Sequence, residues 1–187
     1  PADGKILAFP GLSGLDSFFA KGQRFSLQTL LADSSLAEQF QGGTLAIIRL
    51  APVDYHRFHF PADGRISSSR RLPGRYFSVS PYAVKHMLRI YWQNKREYAV
   101  LATEGAGDMI LCEVGATMVG SIVQSYEPDS KVRKGQEKGW FTFGGSTVIL
   151  LLEKGSIQVD QDILDNTAQG IETSIRMGER IGIFGAS

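Results

Sequence analysis

Cysteine is almost absent from this chain: Cys112 is the single one. No internal disulfide can form, so packing and hydrogen bonding must hold the fold. Cys112 closes the apolar run Met109-Ile-Leu-Cys112, where a buried, inert thiol is expected rather than a nucleophile. Long apolar runs are missing as well. The longest, Val148–Leu152, suits a buried strand and falls far short of the roughly 20 residues of a membrane-spanning helix. No signal peptide is visible. The chain opens on Pro1 without Met, so an upstream part is expected, one able to carry a targeting or membrane-binding segment. Histidine is scarce: His56, His59 and His86. With no HExxH-type motif and no evident third ligand, a metal site is not expected. No linker or low-complexity tract divides residues 1–187, which read as one domain.

What is present points to strands. Residues are 43% hydrophobic and 21% charged, enough for a real core, and Gly 21 with Phe 11 favours strands and tight turns. Pro1-Ala-Asp-Gly-Lys-Ile6 recurs as Pro61-Ala-Asp-Gly-Arg-Ile66, turn chemistry leading into a strand and a hint of two similar β-units. Strands are predicted over Thr44–Leu50, Tyr55–Phe60, Gly64–Ser69, Glu97–Thr103, Met109–Val114, Thr117–Gln124, Trp140–Phe143 and Thr147–Leu152. One or two more are predicted in Ser174–Ile183 around Gly178. The second Pro-Ala-Asp-Gly turn is expected to join Tyr55–Phe60 to Gly64–Ser69. Phe25–Gln39 carries helical spacing, and Ser80-Pro81 is a helix start for a segment running to about Tyr91. Glu127–Lys138 reads as a polar surface loop. The whole is a mainly-β domain with a few short helices.

Net charge is only +1, but it is unevenly spread. Between His56 and Arg96 the lone acid Asp63 stands against nine Lys and Arg, leaving +8 there. The same segment holds Phe58, Phe60, Tyr76, Phe77, Tyr82, Tyr91 and Trp92. Basic charge with interleaved aromatics suits anionic lipid headgroups and, on this ground alone, nucleic acid equally; it also suits an ordinary solvated face.

Chemistry concentrates at Gly144-Gly-Ser-Thr147, between two apolar, β-prone runs. Two glycines let the backbone bend sharply and be approached closely. Ser146 stands beside the carbonyl of Gly145. With a base to take its proton and the carbonyl polarised, its hydroxyl can attack that carbonyl and cut the chain between 145 and 146. A bulge or hairpin corner that happens to contain Ser is the alternative. Tyr55-His-Arg-Phe-His-Phe60 offers histidines three apart, on opposite faces of a regular strand. A histidine base oriented by an aspartate would complete a triad, and Asp3, Asp54 and Asp63 are all candidates.

Several of these segments together resemble phosphatidylserine decarboxylases. Pro1–Gly4, Tyr55–Pro61, Pro73-Gly-Arg-Tyr-Phe-Ser-Val79, Val114-Gly-Ala-Thr-Met-Val-Gly-Ser-Ile122 and Lys138-Gly-Trp-Phe-Thr-Phe-Gly-Gly-Ser-Thr147 follow the order found in that family. Asn94-Lys-Arg-Glu97 is similar to its Asn-x-Arg element. Gly-Gly-Ser-Thr stands where many members have Leu-Gly-Ser-Thr. The likeness covers the catalytic core and not the membrane-associating part that members usually carry before it.

The resemblance implies a barrel-like, barrel-sandwich β fold and a self-processing zymogen. By it, Ser146 attacks Gly145, His59 is the base and Asp3 its carboxylate. Ser146 then becomes the pyruvoyl cofactor, the two fragments stay associated, and Asp63 keeps a turn role. It also implies decarboxylation of phosphatidylserine to phosphatidylethanolamine and CO2, with His56 near the substrate carboxyl. The basic segment would then meet an anionic membrane rather than nucleic acid. The enzyme would be peripheral, on the cytoplasmic face of a bacterial inner membrane or on an organelle membrane, with a core that alone could be soluble and could pair as a homodimer. Two other readings stand beside it: a soluble pyruvoyl-dependent decarboxylase of a free amino acid such as tryptophan, and a non-catalytic β-barrel binding domain. A metal hydrolase built on His56 and His59 is the weakest.

Overall fold

Val148–Leu152 is apolar at every position, and a strand without a polar face must be covered on both sides. In the computed structural model Ser146–Leu152 runs inside a nine-stranded sheet with every residue buried. The structure describes residues 1–12, 26–79, 90–116, 121–142 and 146–185. In chain order the strands are β1 (Gly4–Phe9), β2 (Thr44–Leu50), β3 (Arg57–His59), β4 (Gly64–Ile66), β5 (Arg70–Leu72), β6 (Arg96–Thr103), β7 (Asp108–Val114), β8 (Ile122–Gln124), β9 (Lys131–Val132), β10 (Glu137–Phe141), β11 (Ser146–Leu152), β12 (Ile157–Val159), β13 (Thr173–Ile175) and β14 (Gly182–Phe184). The helices are α1 (Leu27–Leu31), α2 (Ser34–Gln39), α3 (Ile90–Gln93) and α4 (Gln161–Ala168).

The large sheet runs β13-β1-β2-β11-β7-β6-β4-β9, with β5 on β6; a three-stranded sheet runs β3-β10-β8, and β12 pairs with β14. Pairing is antiparallel throughout the central strands. The mainly-β expectation is borne out, but the large sheet is an open path with β13 and β9 at its edges, not a closed barrel.

Side chains alternate across a strand, so register sorts them onto two faces. Arg49, Thr147, Val114 and Arg96 lie opposite one another and share one face. Helices cover it: the Arg96 guanidinium donates to the carbonyls of Leu30 (2.7 Å), Thr29 (2.9 Å) and Trp92 (2.7 Å). Val148, Glu113 and Glu97 share the other face, and the three-stranded sheet lies over it through Lys138 of β10 and Gln124 of β8.

Several local expectations are refined. The helical stretch Phe25–Gln39 divides, because Ala32 turns left-handed (φ 49°) and Asp33 restarts the chain as N-cap, its carboxylate accepting from the Leu36 N–H at 3.1 Å. Of the helix expected from Ser80 to about Tyr91, residues 80–89 lie outside the described residues; Ile90 and Tyr91 fall in α3. The strand expected over Thr117–Gln124 is described from residue 121, as β8. Tyr55–Phe60 and Gly64–Ser69 do not pair with each other: β3 and β4 fall in different sheets. The Pro-Ala-Asp-Gly echo has a local cause. Each Gly opens a strand where a Cβ would sit 2.5 Å from the Arg49 carbonyl oxygen (Gly4) or 2.3 Å from that of Ala102 (Gly64). The Glu127–Lys138 loop is a correction, for it contains β9 and the start of β10, and Lys138 is fully buried. Helix α4 was not anticipated; it packs on β1, where Thr167 Oγ1 accepts from the Ala8 N–H at 3.1 Å. Cys112 is buried and its thiol pKa is pushed up to about 12 by desolvation, as an inert core thiol requires.

Candidate active site

Ser146 is the first residue of β11, opposite Leu50 of β2. It is 0% exposed, and among the described residues its hydroxyl has no hydrogen-bond partner. A buried hydroxyl without a partner is unusual, since such groups nearly always find one. Val148, two residues on, lies opposite Glu113, so Ser146 stands on the face covered by the small sheet. Gly144 and Gly145 lie outside the described residues.

Strand β3 brings the histidines to this region by pairing with β10. The register slips between Glu137↔His59 and Gly139↔Phe58, which makes Lys138 the extra residue of a bulge. Gly139 is required there: a Cβ would lie 2.1 Å from the Val123 carbonyl oxygen and 2.9 Å from the Phe58 ring. His59 is buried, stacked on Tyr55 with ring centroids 5.8 Å apart, and its Nδ1 has no partner. Burial lowers its pKa from the ordinary 6.5 against the opposing pull of Glu137, which keeps the imidazole neutral near pH 7. A neutral imidazole with a free nitrogen is what a general base needs. Both ring nitrogens of His56 are buried without partners, and its carbonyl accepts from Phe141 N–H at 2.9 Å. That bond ties His56 to the strand leading into Gly-Gly-Ser.

Asp3 precedes β1. Lys5 lies opposite Arg49 and Ser146 opposite Leu50, so Asp3 and Ser146 occupy the same end of the sheet, with β2 between their strands. Two strand spacings put β1 about 10 Å from β11. His59 reaches the Asp3 segment through its backbone, donating to the Pro1 carbonyl at 2.8 Å. The Asp3 carboxylate accepts from Met177 N–H at 2.7 Å, and His59 Nδ1 is not bonded to it. The other two candidate carboxylates bond backbone elsewhere: Asp54 accepts from Ala51 N–H within its own turn (2.6 Å), and Asp63 accepts from the N–H of Lys134, distant in sequence (2.7 Å). His86 lies outside the described residues. Among the described residues no group of three or more His, Cys, Asp or Glu could hold a metal ion.

Asn94 explains a motif to which the sequence assigned no role. Fully buried, it accepts from the Phe77 N–H (2.9 Å) and donates to the carbonyls of Phe77 (2.8 Å) and Gly115 (2.7 Å). It thereby clamps Phe77 and Gly115 together at the Ser146 end of the sheet. Beside His59 a cavity of about 360 Å³ runs between Phe60, Leu150, Leu152, Ile157 and Phe184. Leu150 and Leu152 continue the face on which Ser146 stands.

Asp3, Phe77, Asn94 and Gly115, all within these motif segments, thus gather at the Ser146 end of the large sheet. The family model described as phosphatidylserine decarboxylase matches residues 1–183. The chain belongs to the phosphatidylserine decarboxylase family. It is 53% identical over 182 residues to a phosphatidylserine decarboxylase proenzyme of Fusobacterium nucleatum, covering 97% of this chain and 61% of the relative. It is 48% identical over 183 residues to a proenzyme of that name from Clostridium botulinum (98% and 62%), and 44% identical over 182 residues to one from Clostridium perfringens (97% and 62%). The chain therefore spans about three fifths of the length of the curated relatives it matches.

Sequence reasoning missed one part of this phosphatidylserine decarboxylase-family site, the buried charges around Lys138. Glu113 was the available signal: a lone carboxylate inside the apolar strand Met109–Val114.

Proposed function

We propose that this chain is the catalytic core of a self-processing, pyruvoyl-dependent phosphatidylserine decarboxylase. The observation that carries the reading is the Ser146 hydroxyl: fully buried, without a hydrogen-bond partner among the described residues, and directly after Gly144-Gly145 in the sequence. Among the described residues no donor or acceptor competes for that oxygen, so Ser146 fits the role of precursor to a pyruvoyl group.

Self-cleavage follows in balanced steps. Ser146 Oγ attacks the Gly145 carbonyl carbon as His59 takes the hydroxyl proton. The peptide C–N bond breaks, its nitrogen takes up a proton, and an ester joins Gly145 to Oγ. Loss of the Ser146 α-proton then forms a Cα–Cβ double bond and expels Oγ as the Gly145 carboxylate. Hydrolysis of the resulting dehydroalanine releases ammonia and leaves the pyruvoyl group at the new N-terminus. That group supplies a carbonyl for the substrate amine and an electron sink for loss of CO2. The chain's own residues do the rest. His59 acts as base for the cut, with Asp3 as the carboxylate of its segment. His56, with two free buried nitrogens, orients the substrate carboxylate or returns a proton.

Two observations support a lipid substrate. The apolar cavity beside His59 suits an acyl chain. Of the exposed large hydrophobic residues, Val53, Tyr55, Tyr76 and Met177 all follow strands or segments that end at the Ser146 end of the sheet. Arg75 and Arg176, both exposed, stand beside them. We assign this rim, rather than the whole basic segment, to an anionic membrane surface. Within that segment Arg96 is buried, and Arg57, Arg70 and Arg71 pair with Glu137, Asp33 and Glu97. Among the described residues no helix is long and apolar enough to cross a membrane. Association would then be peripheral. In β11, held on one side by β2 and on the other by β7, the C-terminal fragment has the means to stay bound after the cut.

The test is CO2 release by cleaved protein on phosphatidylserine vesicles, compared with free serine and free tryptophan. Turnover of the vesicles alone is the expected result. Faster turnover of a free amino acid would replace the lipid assignment.

A further inference from the structure

The small sheet rests on the large one through a cluster of buried charges. Lys138 is 0% exposed, as is Glu113, and their side chains meet at 2.9 Å. The ammonium also donates to Gln124 Oε1 at 2.8 Å and lies 5.5 Å from the Phe58 ring centroid and 5.2 Å from that of Tyr126. Gln124 Nε2 in turn donates to Glu113 Oε2 at 3.0 Å and reaches Glu97 at 3.4 Å. Among the described residues this is the one ion pair joining a strand of the small sheet to a strand of the large sheet.

Two features exceed what stability asks of such a pair. Burying two charges is costly, and well-packed apolar residues often do as well or better. Glu113 Oε1 is moreover left without a partner, on the face that carries the unpartnered Ser146 hydroxyl. Ser146 and Glu113 are diagonal neighbours across β11 and β7, with Cα atoms about 7–8 Å apart. On the other side, Lys138 is the bulged residue of β10, the strand that ends at Phe141 just ahead of Gly-Gly-Ser146.

We propose that the Lys138–Glu113–Gln124 node is a positioning element for self-cleavage. It fixes β10 against the sheet face on which the Ser146 hydroxyl stands. The node touches neither Ser146 nor a substrate, and it acts through the placement of β10. This inference rests on the self-cleavage reading above.

The double variant Lys138→Met/Glu113→Leu removes both charges together and so leaves no orphaned ion. Self-cleavage is followed on gels after expression, beside thermal unfolding and beside CO2 release per mole of cleaved chain. We expect a folded protein with Tm near or above that of the wild type, a cut at least tenfold slower, and near-normal turnover in whatever fraction has been cut. A purely structural node would lower Tm and turnover along with the cut. A folded double variant that cuts at the wild-type rate overturns the proposal. If the double variant does not fold, Glu113→Gln carries the same expectation for the cut and for turnover, at a lower Tm because Lys138 then lacks its counter-ion. Failure of both to fold assigns the node to stability and also overturns it. Failure of the wild type itself to cut would sink the self-cleavage reading instead, so the two results are distinguishable.

Discussion

The two faces of the nine-stranded sheet treat buried polar groups in opposite ways. On the helix-covered face Arg49 meets Glu172 with two hydrogen bonds (2.8 and 2.6 Å), and Arg96 satisfies carbonyls of two helices, α1 and α3. These cations are complete, and their work is to hold helices to the sheet. On the other face, and in the small sheet over it, lie His56, His59, Glu113 and Ser146, each with at least one buried polar atom left unbonded. Unbonded buried polar atoms cost stability. Their concentration on one side marks where the fold keeps groups available for chemistry. Thr147 Oγ1 is the exception, an unpartnered hydroxyl on the helix side.

The strongest way to break this contrast is to remove the reactive side. Ser146→Ala should give no cut at all, and His59→Ala should block it nearly as completely, since a positioned general base contributes about 10²–10⁴-fold. His56→Ala should still cut, at least in part, yet lose a comparable factor in CO2 release. Gels and CO2 trapping on the same preparations separate the two. If both histidine variants cut normally and lose turnover equally, the division of roles between them is wrong.

Arg96→Met probes the helix face. It strips buried carbonyls of their donors, at about 3 kcal/mol or more in total. In a chain of this size that corresponds to about 6–12 °C in Tm. The cut should persist below the new transition. A variant that keeps its Tm but no longer cuts would show that the helix face carries chemistry too.

Acid offers a finer probe. The folded His59 pKa lies below the ordinary 6.5, so the base stays neutral at pH 7 and is protonated only in more acidic solution. The rate of the cut should be flat near neutrality and fall with acid, its midpoint below the ordinary histidine value. The unfolded chain binds this proton more readily. The His59 contribution to stability therefore weakens as pH falls through the window between the lowered pKa and 6.5. A midpoint above 6.5 would exclude His59 as the desolvated base.

The smallest effect is expected at the exception. Thr147→Val removes an unpartnered buried hydroxyl, so stability should hold or rise by up to about 1 kcal/mol, with the cut within a few-fold of wild type. A tenfold slower cut would move Thr147 into the reactive set and blur the division between the faces.

Much of this was legible in the chain itself, and the reasons are local. Continuous apolar runs at Leu45–Ile48 and Val148–Leu152 fix buried central strands, because both of their faces must be covered. Gly-Gly-Ser and the paired histidines announced the chemistry by residue type. What stayed hidden depends on long-range register. Lys138 looks like a surface residue in a polar stretch until a bulge turns it inward onto Glu113, a residue 25 positions away. The division of β3 and β4 between two sheets is likewise set by partners distant in sequence. Helix α4 has a weak sequence signature, being short and mostly polar, with Ile163 and Thr167 its buried contacts.

The most direct test of the central claim is the intact mass of the purified wild-type chain beside Ser146→Ala. The account expects the wild type as two fragments, Pro1–Gly145 and a second beginning at position 146. The second fragment should weigh about 17 Da less than residues 146–187 with an unmodified Ser, because conversion of the terminal serine to pyruvoyl is a net loss of ammonia. The variant should be a single uncut chain. An uncut wild type that decarboxylates phosphatidylserine at full rate would contradict it.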